Sequence, residues 1–111
     1  MNRIKKVWGS EEIIVNTELY CAKYLYLNKS YQCSYHHHKI KDETFIIQSG
    51  TVEIEIEGNT TVMSPLESVR IFPGQKHRFT GLTDCVILEV STQHIDCDSY
   101  REPGQKSRKK E

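Results

Sequence analysis

The sequence lacks the features that mark membrane, secreted and nucleic-acid-binding proteins. No apolar run approaches the roughly 20 residues of a membrane-spanning helix, and the opening segment MNRIKKVWGSEE has no apolar core of the signal-peptide kind. The 15 basic and 15 acidic residues cancel, so no net charge draws the chain to nucleic acid or to a membrane surface. We therefore expect a cytoplasmic protein with neither of these partners.

Closely spaced cysteine pairs are missing as well. The four cysteines show no CxxC spacing, which disfavours a zinc-ribbon site. In a reducing compartment such thiols are usually small buried side chains. We expect this role for Cys21, Cys33, Cys85 and Cys97.

A helical period is also absent, since no segment repeats apolar residues every 3.6 positions. Short stretches rich in β-branched and aromatic residues instead alternate with turn formers such as Pro73-Gly74. Many short strands at regular spacing predict an all-β fold, an antiparallel sandwich or small barrel, as one domain over residues 1–97. From residue 98 the chain is polar and ends in a basic run, which predicts a disordered tail over residues 98–111.

Three of the five histidines are adjacent in the stretch YHHHKIKDETF. The stretch YQCSYHH predicts one continuous strand, in which alternate side chains share a face. Gln32, His36 and His38 would then project together while His37 points the other way. Two imidazoles a few ångströms apart suit one metal ion. A chance run of histidines in a surface loop is the alternative interpretation.

Two further residues favour the metal interpretation. Glu43 shares strand parity with Phe45 and can reach the same point from the next strand. His77 follows a Pro-Gly turn and opens another strand, so it is the candidate for a distant fourth ligand. Three imidazoles and one carboxylate predict a site for one divalent transition metal ion, without distinguishing Zn, Mn, Fe, Co and Ni.

The same residues resemble the two motifs of the cupins. HHHKIKDETFIIQSG has the first motif's spacing, with His36-x-His38, four residues, Glu43, six residues and Gly50. FPGQKHRF resembles the second motif, in which His77 stands three positions after the turn glycine. The resemblance implies a single-domain cupin β-barrel, a jelly-roll-like double-stranded β-helix, with these four side chains as metal ligands.

Three positions depart from the family pattern. Ser30 stands where the first motif usually opens with Gly, and Phe72 stands where the second has Pro. Gly81 replaces the usual Asn four residues after the last histidine. Ser30 and Phe72 are turn positions, so these two departures concern turn geometry rather than the ligands.

A finer resemblance covers about residues 6–102. KVWGSEE, PLESVRIFPGQKHRFTG and ILEVST are similar to the cupin domain of type II mannose-6-phosphate isomerases. They resemble more closely the stand-alone mannose-6-phosphate isomerase-like cupins, which STQHIDCDSYRE also resembles. This resemblance implies a small-molecule substrate, a sugar or sugar phosphate. The isomerase domains carry Gln where this chain has His36, so the three-histidine, one-glutamate set differs from theirs.

An aldose–ketose isomerase would use the metal to stabilise an enediolate and a base to move a proton between neighbouring carbons. The candidates for that base are Lys23 and Glu89, each of which could instead lie on the outer surface. The face that Lys23 shares with Leu25 is not fixed by the sequence as inner or outer. Arg70 and Arg78 flank the second motif and are candidates for holding a phosphate, with surface ion pairing as the alternative.

Two other functions fit the same residues. A non-catalytic module would bind a metal and a sugar, and an Fe(II)-dependent dioxygenase would use open coordination positions for O₂. Free sheet edges are often covered by pairing across a two-fold axis. We therefore expect a homodimer, with EEIIVN as a candidate exchanged strand.

Overall fold

The computed structural model describes residues 3–110, in which thirteen strands and no helix occur. Residues 1, 2 and 111 of the predicted domain and tail lie outside this range. The strands are β1 (Arg3–Lys6), β2 (Gly9–Asn16), β3 (Cys21–Leu27), β4 (Tyr31–Gln32), β5 (His36–His37), β6 (Glu43–Ser49), β7 (Val52–Ile56), β8 (Asn59–Met63), β9 (Ser68–Ile71), β10 (His77–Gly81), β11 (Cys85–Ser91), β12 (Tyr100–Arg101) and β13 (Arg108–Lys109). The described residues include no helix long and apolar enough to cross a membrane.

Two antiparallel sheets enclose the core. One has the order β1-β2-β3-β11-β6-β9, and the other has the order β12-β5-β10-β4-β13, with β7 added beside β10 and β8 beside β7. In the first sheet β11 lies between β3 and β6, so Glu89 faces Lys23 on one side and Phe45 on the other. The predicted all-β architecture is confirmed.

Strand β3 shows how the alternating pattern fills the interior. Its burial alternates strictly, and Lys23, Leu25 and Leu27 are inside while Tyr24 and Tyr26 are only partly covered. The face that the sequence left open is therefore the inner one, and it carries a lysine into the core. Trp8 is also buried, with its ring edge-on to Phe79 at a centroid distance of 5.3 Å.

The cysteines follow the expectation with one exception. Cys21, Cys33 and Cys85 are buried and Cys97 is exposed, and all four are free thiols. No disulfide contributes to the stability of the described residues.

The segment predicted as a continuous strand YQCSYHH is interrupted. Strand β4 ends at Gln32 and β5 begins at His36, with irregular backbone between them. The backbone of Tyr35 in this gap bonds residues 102 and 105 instead of a neighbouring strand. The interruption breaks the expected parity, so Gln32 lines an outer groove whereas His36 lines the interior cavity.

The segment after residue 97 differs from the predicted tail. Strand β12 pairs with β5 and β13 pairs with β4, and Asp98 is buried. The carboxylate of Asp98 accepts hydrogen bonds from the backbone N–H groups of Lys39, Ile40 and Lys41. Composition suggested disorder because the segment is polar, but it is ordered by backbone and carboxylate hydrogen bonds at the ends of short strands.

Two departures from the cupin motifs have a structural explanation. Ser30 adopts φ 72°, the left-handed conformation that glycine accepts most easily, so the turn keeps its geometry without a glycine. At Gly81 an added Cβ would lie 2.9 Å from the backbone oxygens of both Asn28 and Thr83. A side chain at this position would require the backbone to shift.

Candidate metal centre and its cavity

Three histidines converge inside the barrel. His36 and His77 are cross-strand partners on β5 and β10, and His38 follows two residues after His36. Possible ligand atoms of the three rings lie within 4.8 Å of one another. This cluster is compatible with a metal ion.

Glu43 reaches the cluster from the start of β6. Its Oε2 lies 3.2 Å from Nε2 of His38 and 3.3 Å from Nε2 of His77. Glu43 is 2% exposed and lies on the same inward face as Phe45. The structure thus brings together all four side chains that the sequence proposed as ligands.

The hydrogen bonds of the imidazoles determine which nitrogen carries the proton. Nδ1 of each ring lies at hydrogen-bond distance from a backbone carbonyl, which can only accept. Each Nδ1 therefore carries the hydrogen, and each neutral ring directs the lone pair of Nε2 into the cluster. The carbonyls of Ser34, Asp98 and Gln75 lie 2.8, 2.6 and 2.9 Å from His36, His38 and His77, respectively.

With the hydrogen of each ring on Nδ1, no ring donates a hydrogen bond from Nε2 to Glu43. Nε2 of His77 and Oε2 of Glu43 are buried and have no hydrogen-bond partner within residues 3–110. A cation placed between them would satisfy facing lone pairs of this kind. Two donors that are each about 2.1 Å from one ion lie roughly 3.0–3.4 Å apart, which matches the measured 3.2 and 3.3 Å. The residues therefore fit a metal ion.

The local electrostatics keep the ring of His36 neutral and the carboxyl group of Glu43 ionised at neutral pH. Burial, with His77 nearby, lowers the pKa of His36 to about 3. Burial alone would raise the pKa of Glu43, but it lies well below its usual range, and the nearby ammonium group of Lys41 lowers it. A carboxylate and neutral imidazoles are the forms that bind a metal.

His37 points out of the cluster. Its ring stacks on Tyr100 at a centroid distance of 5.2 Å, and its Nδ1 lies 3.8 Å from the carboxylate of Glu102. It is absent from the residues that line the cavity around the other histidines.

His36, His38 and Glu43 line an interior cavity of about 460 Å³. Part of its wall is apolar and includes Trp8, Leu25, Phe45 and Phe79. The other part carries ionisable groups, which are Lys6, Glu11, Lys23, Lys41, Glu89, His94 and Asp96. The cavity therefore offers a small ligand both aromatic surface and hydrogen-bonding groups.

Both residues proposed as bases lie in this charged wall. Lys23 is 3% exposed and Glu89 is 5% exposed. The Nζ of Lys41 bridges from Glu89, at 2.9 Å from its Oε2, towards Glu43, at 3.7 Å from its Oε1. Their positions agree with the inner-face alternative that the sequence left open.

Sequence reasoning missed Lys41 and His94. The Nδ1 of His94 lies 3.3 Å from the ammonium groups of both Lys23 and Lys41. Lys41 stands in the loop before β6, and His94 stands in the segment after β11, where strand parity gives no signal. Lys41 lies two residues before Glu43, and this proximity in the sequence could have identified it as a candidate.

The two arginines proposed to hold a phosphate lie elsewhere. Arg70 forms a short bidentate pair with Asp42 on the surface. Arg78 binds Glu55 at 3.0 Å and lines an outer groove of about 710 Å³, which is larger than the interior cavity but contains no histidine. Neither arginine lines the cavity of the histidine cluster, because the strand positions that carry them face outwards.

Comparisons with known proteins agree with this geometry. The family described as the cupin domain matches residues 25–91. Over 87 residues the chain is 30% identical to YobQ of Bacillus subtilis (strain 168), named as an uncharacterized HTH-type transcriptional regulator. That alignment covers 76% of this chain and 34% of YobQ, so the chain spans about a third of the curated relative that it matches.

Solved structures with low sequence identity share the fold. The capsular polysaccharide assembling protein CapF from Staphylococcus aureus superposes with a TM-score of 0.80 at 22% identity, over 90% of this chain and 33% of CapF. Streptomyces PAC13, solved with uridine, gives a TM-score of 0.80 at 9% identity, over 91% of this chain and 83% of PAC13. With the family match across most of the barrel and a histidine cluster at its motif positions, this chain belongs to the cupin family.

Proposed function

We propose that this cupin binds one divalent transition metal ion through His36, His38, Glu43 and His77 and isomerises a sugar or sugar phosphate between its aldose and ketose forms. The observation that carries the metal site is the group of facing lone pairs without a proton between them. The observation that favours the reaction is a second carboxylate, Glu89, in the same cavity.

The bound metal would supply Lewis acidity towards the adjacent carbonyl and hydroxyl oxygens of the sugar. Glu89 is assigned the proton transfer. Its Oε2 is held by Lys41 at 2.9 Å, which leaves Oε1 available to the ligand. Glu89 would remove the proton from the carbon beside the carbonyl and return it to the neighbouring carbon, so that the exchange is redox-neutral.

The lining of the cavity supports a polyhydroxylated ligand. Trp8, Phe45 and Phe79 offer aromatic surface, while Lys23 and Glu89 offer hydrogen-bonding groups across from it. Among the proteins of similar fold, CapF is described as assembling capsular polysaccharide and PAC13 was solved with uridine. These neighbours make a sugar-related ligand the preferred class.

Hydrogen–deuterium exchange tests the reaction directly. Metal-loaded protein would be incubated in D₂O with a panel of aldoses and their 6-phosphates, and deuterium at C2 would be followed by NMR. The Glu89→Gln variant keeps a hydrogen-bonding partner for Lys41 but lacks the base. We expect it to lose at least about 100-fold in exchange rate.

Glu55→Gln is the matched control. Glu55 is also a strand glutamate paired with a cation, Arg78, but it lines the outer groove. We expect its exchange rate to equal that of the wild type. A Glu89→Gln variant with wild-type exchange would refute the assignment of Glu89.

The second candidate function is a ligand-binding module without catalysis. It is favoured by the similarity to YobQ, because the matched third belongs to a protein named as a transcriptional regulator. Metal-loaded protein that binds a sugar in calorimetry but shows no C2 exchange over the whole panel would establish this function and exclude the isomerase.

A further inference from the structure

We propose that Lys23, held by His94, forms an anion subsite in the cavity, which binds the phosphate or carboxylate group of a sugar while the sugar carbonyl faces the histidine cluster. This inference rests on the proposed function for the sugar, and it narrows the substrate class to anionic sugars. The contacts of Lys23, the protonation of His94 and the charge of the cavity support it.

Lys23 is a buried ammonium group with few partners. Within residues 3–110 its Nζ has one hydrogen bond, to Nδ1 of His94 at 3.3 Å. The nearest carboxylate oxygen, on Glu11, lies at 3.7 Å and compensates its charge without a short hydrogen bond. An ammonium group has three N–H donors, so Lys23 retains donors for a ligand in the cavity that it lines.

Lys41 differs from Lys23 in this respect. Its Nζ binds Glu89 at 2.9 Å and His94 at 3.3 Å, and it also lies 3.7 Å from Glu43. Its two hydrogen bonds use two of its three donors, whereas Lys23 makes one hydrogen bond. Lys41 is therefore tied to Glu89 in the wall, and Lys23 is the cation with more donors left for a ligand.

His94 acts as a neutral spacer between the two lysines. Its Nε2 lies 3.0 Å from the carboxylate of Asp96, which can only accept, so Nε2 carries the hydrogen. Its Nδ1 is then a lone-pair acceptor for both ammonium groups. Burial and the two lysines also lower the pKa of His94, in agreement with a neutral ring. His94 thus fixes the position of Lys23 without neutralising it.

The charge of the cavity favours an anion. The cations Lys6, Lys23 and Lys41 are balanced by three carboxylates of the same wall, on Glu11, Glu89 and Asp96. A divalent ion on Glu43 adds one positive charge in excess. In a cavity with apolar walls, an excess charge raises the local concentration of ligands of the opposite sign.

The subsite lies close enough to the histidine cluster for one ligand to reach both. Glu43 contacts Lys41, Lys41 contacts His94, and His94 contacts Lys23, all within 3.7 Å. A sugar whose carbonyl end faces Glu43 can therefore place a charged group at its other end beside Lys23. This arrangement predicts selectivity for the charged end that depends on Lys23.

Calorimetry with matched sugars tests the proposal. Metal-loaded protein would be titrated with mannose, mannose 6-phosphate and mannuronate. We expect at least one charged sugar to bind at least tenfold more tightly than mannose, and the two charged arms identify phosphate or carboxylate as the group. Lys23→Met should remove this preference by lowering the affinity for the charged sugar at least tenfold more than the affinity for mannose, while Lys23→Arg should retain a preference.

Lys76→Met is the control variant, because Lys76 is an exposed lysine paired with Glu102 outside the cavity. It should keep the wild-type preference. Circular dichroism and metal content of each variant would confirm that the fold and the metal centre are intact.

A second binding measurement separates this proposal from the proposed function. Metal-loaded protein would be titrated with inorganic phosphate, which we expect to bind the wild type and to bind Lys23→Met at least tenfold more weakly. Anion binding that depends on Lys23 without C2 exchange would keep the subsite and reject the isomerase. Equal affinities for neutral and charged sugars, or a preference that survives in Lys23→Met, would overturn the subsite.

Discussion

The interior and the exterior of this barrel carry the same kinds of charged residues in different environments. Inside, Glu89 and Lys41 form a pair whose side chains are 6% and 4% exposed. Outside, Arg70 and Asp42 form a pair whose side chains are 54% and 29% exposed. Both pairs have close contacts, but only the inner pair is shielded from water and salt.

The comparison shows that the distance between two charged groups does not indicate how much their pairing contributes to stability or function. Solvent screens the outer pair, so its contribution to stability is small. The inner groups cannot be compensated by water, and each must be matched by a partner, a ligand or a metal. The unsatisfied atoms of His77 and Glu43 stand out for this reason.

The largest effect, on metal content, should come from removing histidine ligands inside the barrel. We expect a His36→Ala, His77→Ala double variant to lose stoichiometric metal, because only two of the four convergent donors remain. Elemental analysis of purified protein would measure this. His37→Ala removes the neighbouring outward histidine and should keep its metal. A double variant with a full equivalent of metal would contradict the site.

A smaller effect, on metal affinity, should follow from disturbing the hydrogen bonds that hold the metal-binding side chains in position. Asp98→Ala removes the carboxylate that holds the backbone of Lys39, Ile40 and Lys41 and thereby loosens the carbonyl partner of His38. Removal of such a supporting contact typically weakens metal binding about 10- to 100-fold. Competition with a chelating dye would measure the affinity.

The control for Asp98 is Lys109→Ala in β13, which is exposed and belongs to the same C-terminal segment. It should bind metal as the wild type does. An Asp98→Ala variant with unchanged affinity would show that the segment does not support the centre.

The free energy of unfolding of the metal-free protein should depend on pH through the buried His36. The pKa of His36 falls to about 3 in the folded chain and is about 6.5 in an unfolded one. Between these values the unfolded state binds the extra proton, so the free energy of unfolding decreases as the pH falls from about 6.5. One such group gives a slope of up to about 1.4 kcal/mol per pH unit.

Urea unfolding of chelator-treated protein at pH 7, 6 and 5 would measure this slope. His36→Gln should reduce it, since glutamine does not titrate. Identical slopes in the wild type and the variant would show that His36 is not the group responsible.

The smallest effect should come from the outer pair. We expect Arg70→Ala to leave the metal content unchanged and the thermal midpoint within about 4 °C of the wild type, because the pair is exposed and screened. Differential scanning calorimetry would measure the midpoint. A loss of bound metal comparable to that of Asp98→Ala would remove the distinction between inner and outer charges.

Local patterns were sufficient to predict the all-β architecture and the four convergent side chains. Strand alternation placed Glu43 with Phe45, and motif spacing selected His77. The same rule failed between Gln32 and His36, because the backbone there leaves the sheet to bond the C-terminal segment. Alternation holds only where the strand is continuous.

Contacts between distant segments were beyond sequence reasoning. Lys41 and His94 lie in connections without a repeating pattern, and only the fold brings them to Lys23 and Glu89. Polar composition likewise concealed the order of residues 100–109, because hydrogen bonds rather than apolar burial hold them. The predicted homodimer concerns a second copy of the chain and stays a prediction.

The hydrogen bond from His38 to the carbonyl of Asp98 has a consequence for variation among related chains. A carbonyl is present whatever residue stands at that position, so substitutions at residue 98 do not remove this acceptor directly. An insertion or deletion between Ser91 and Asp98 would instead carry the carbonyl out of reach of the ring. The length of this connection, more than its composition, should therefore be restricted wherever the histidine is retained.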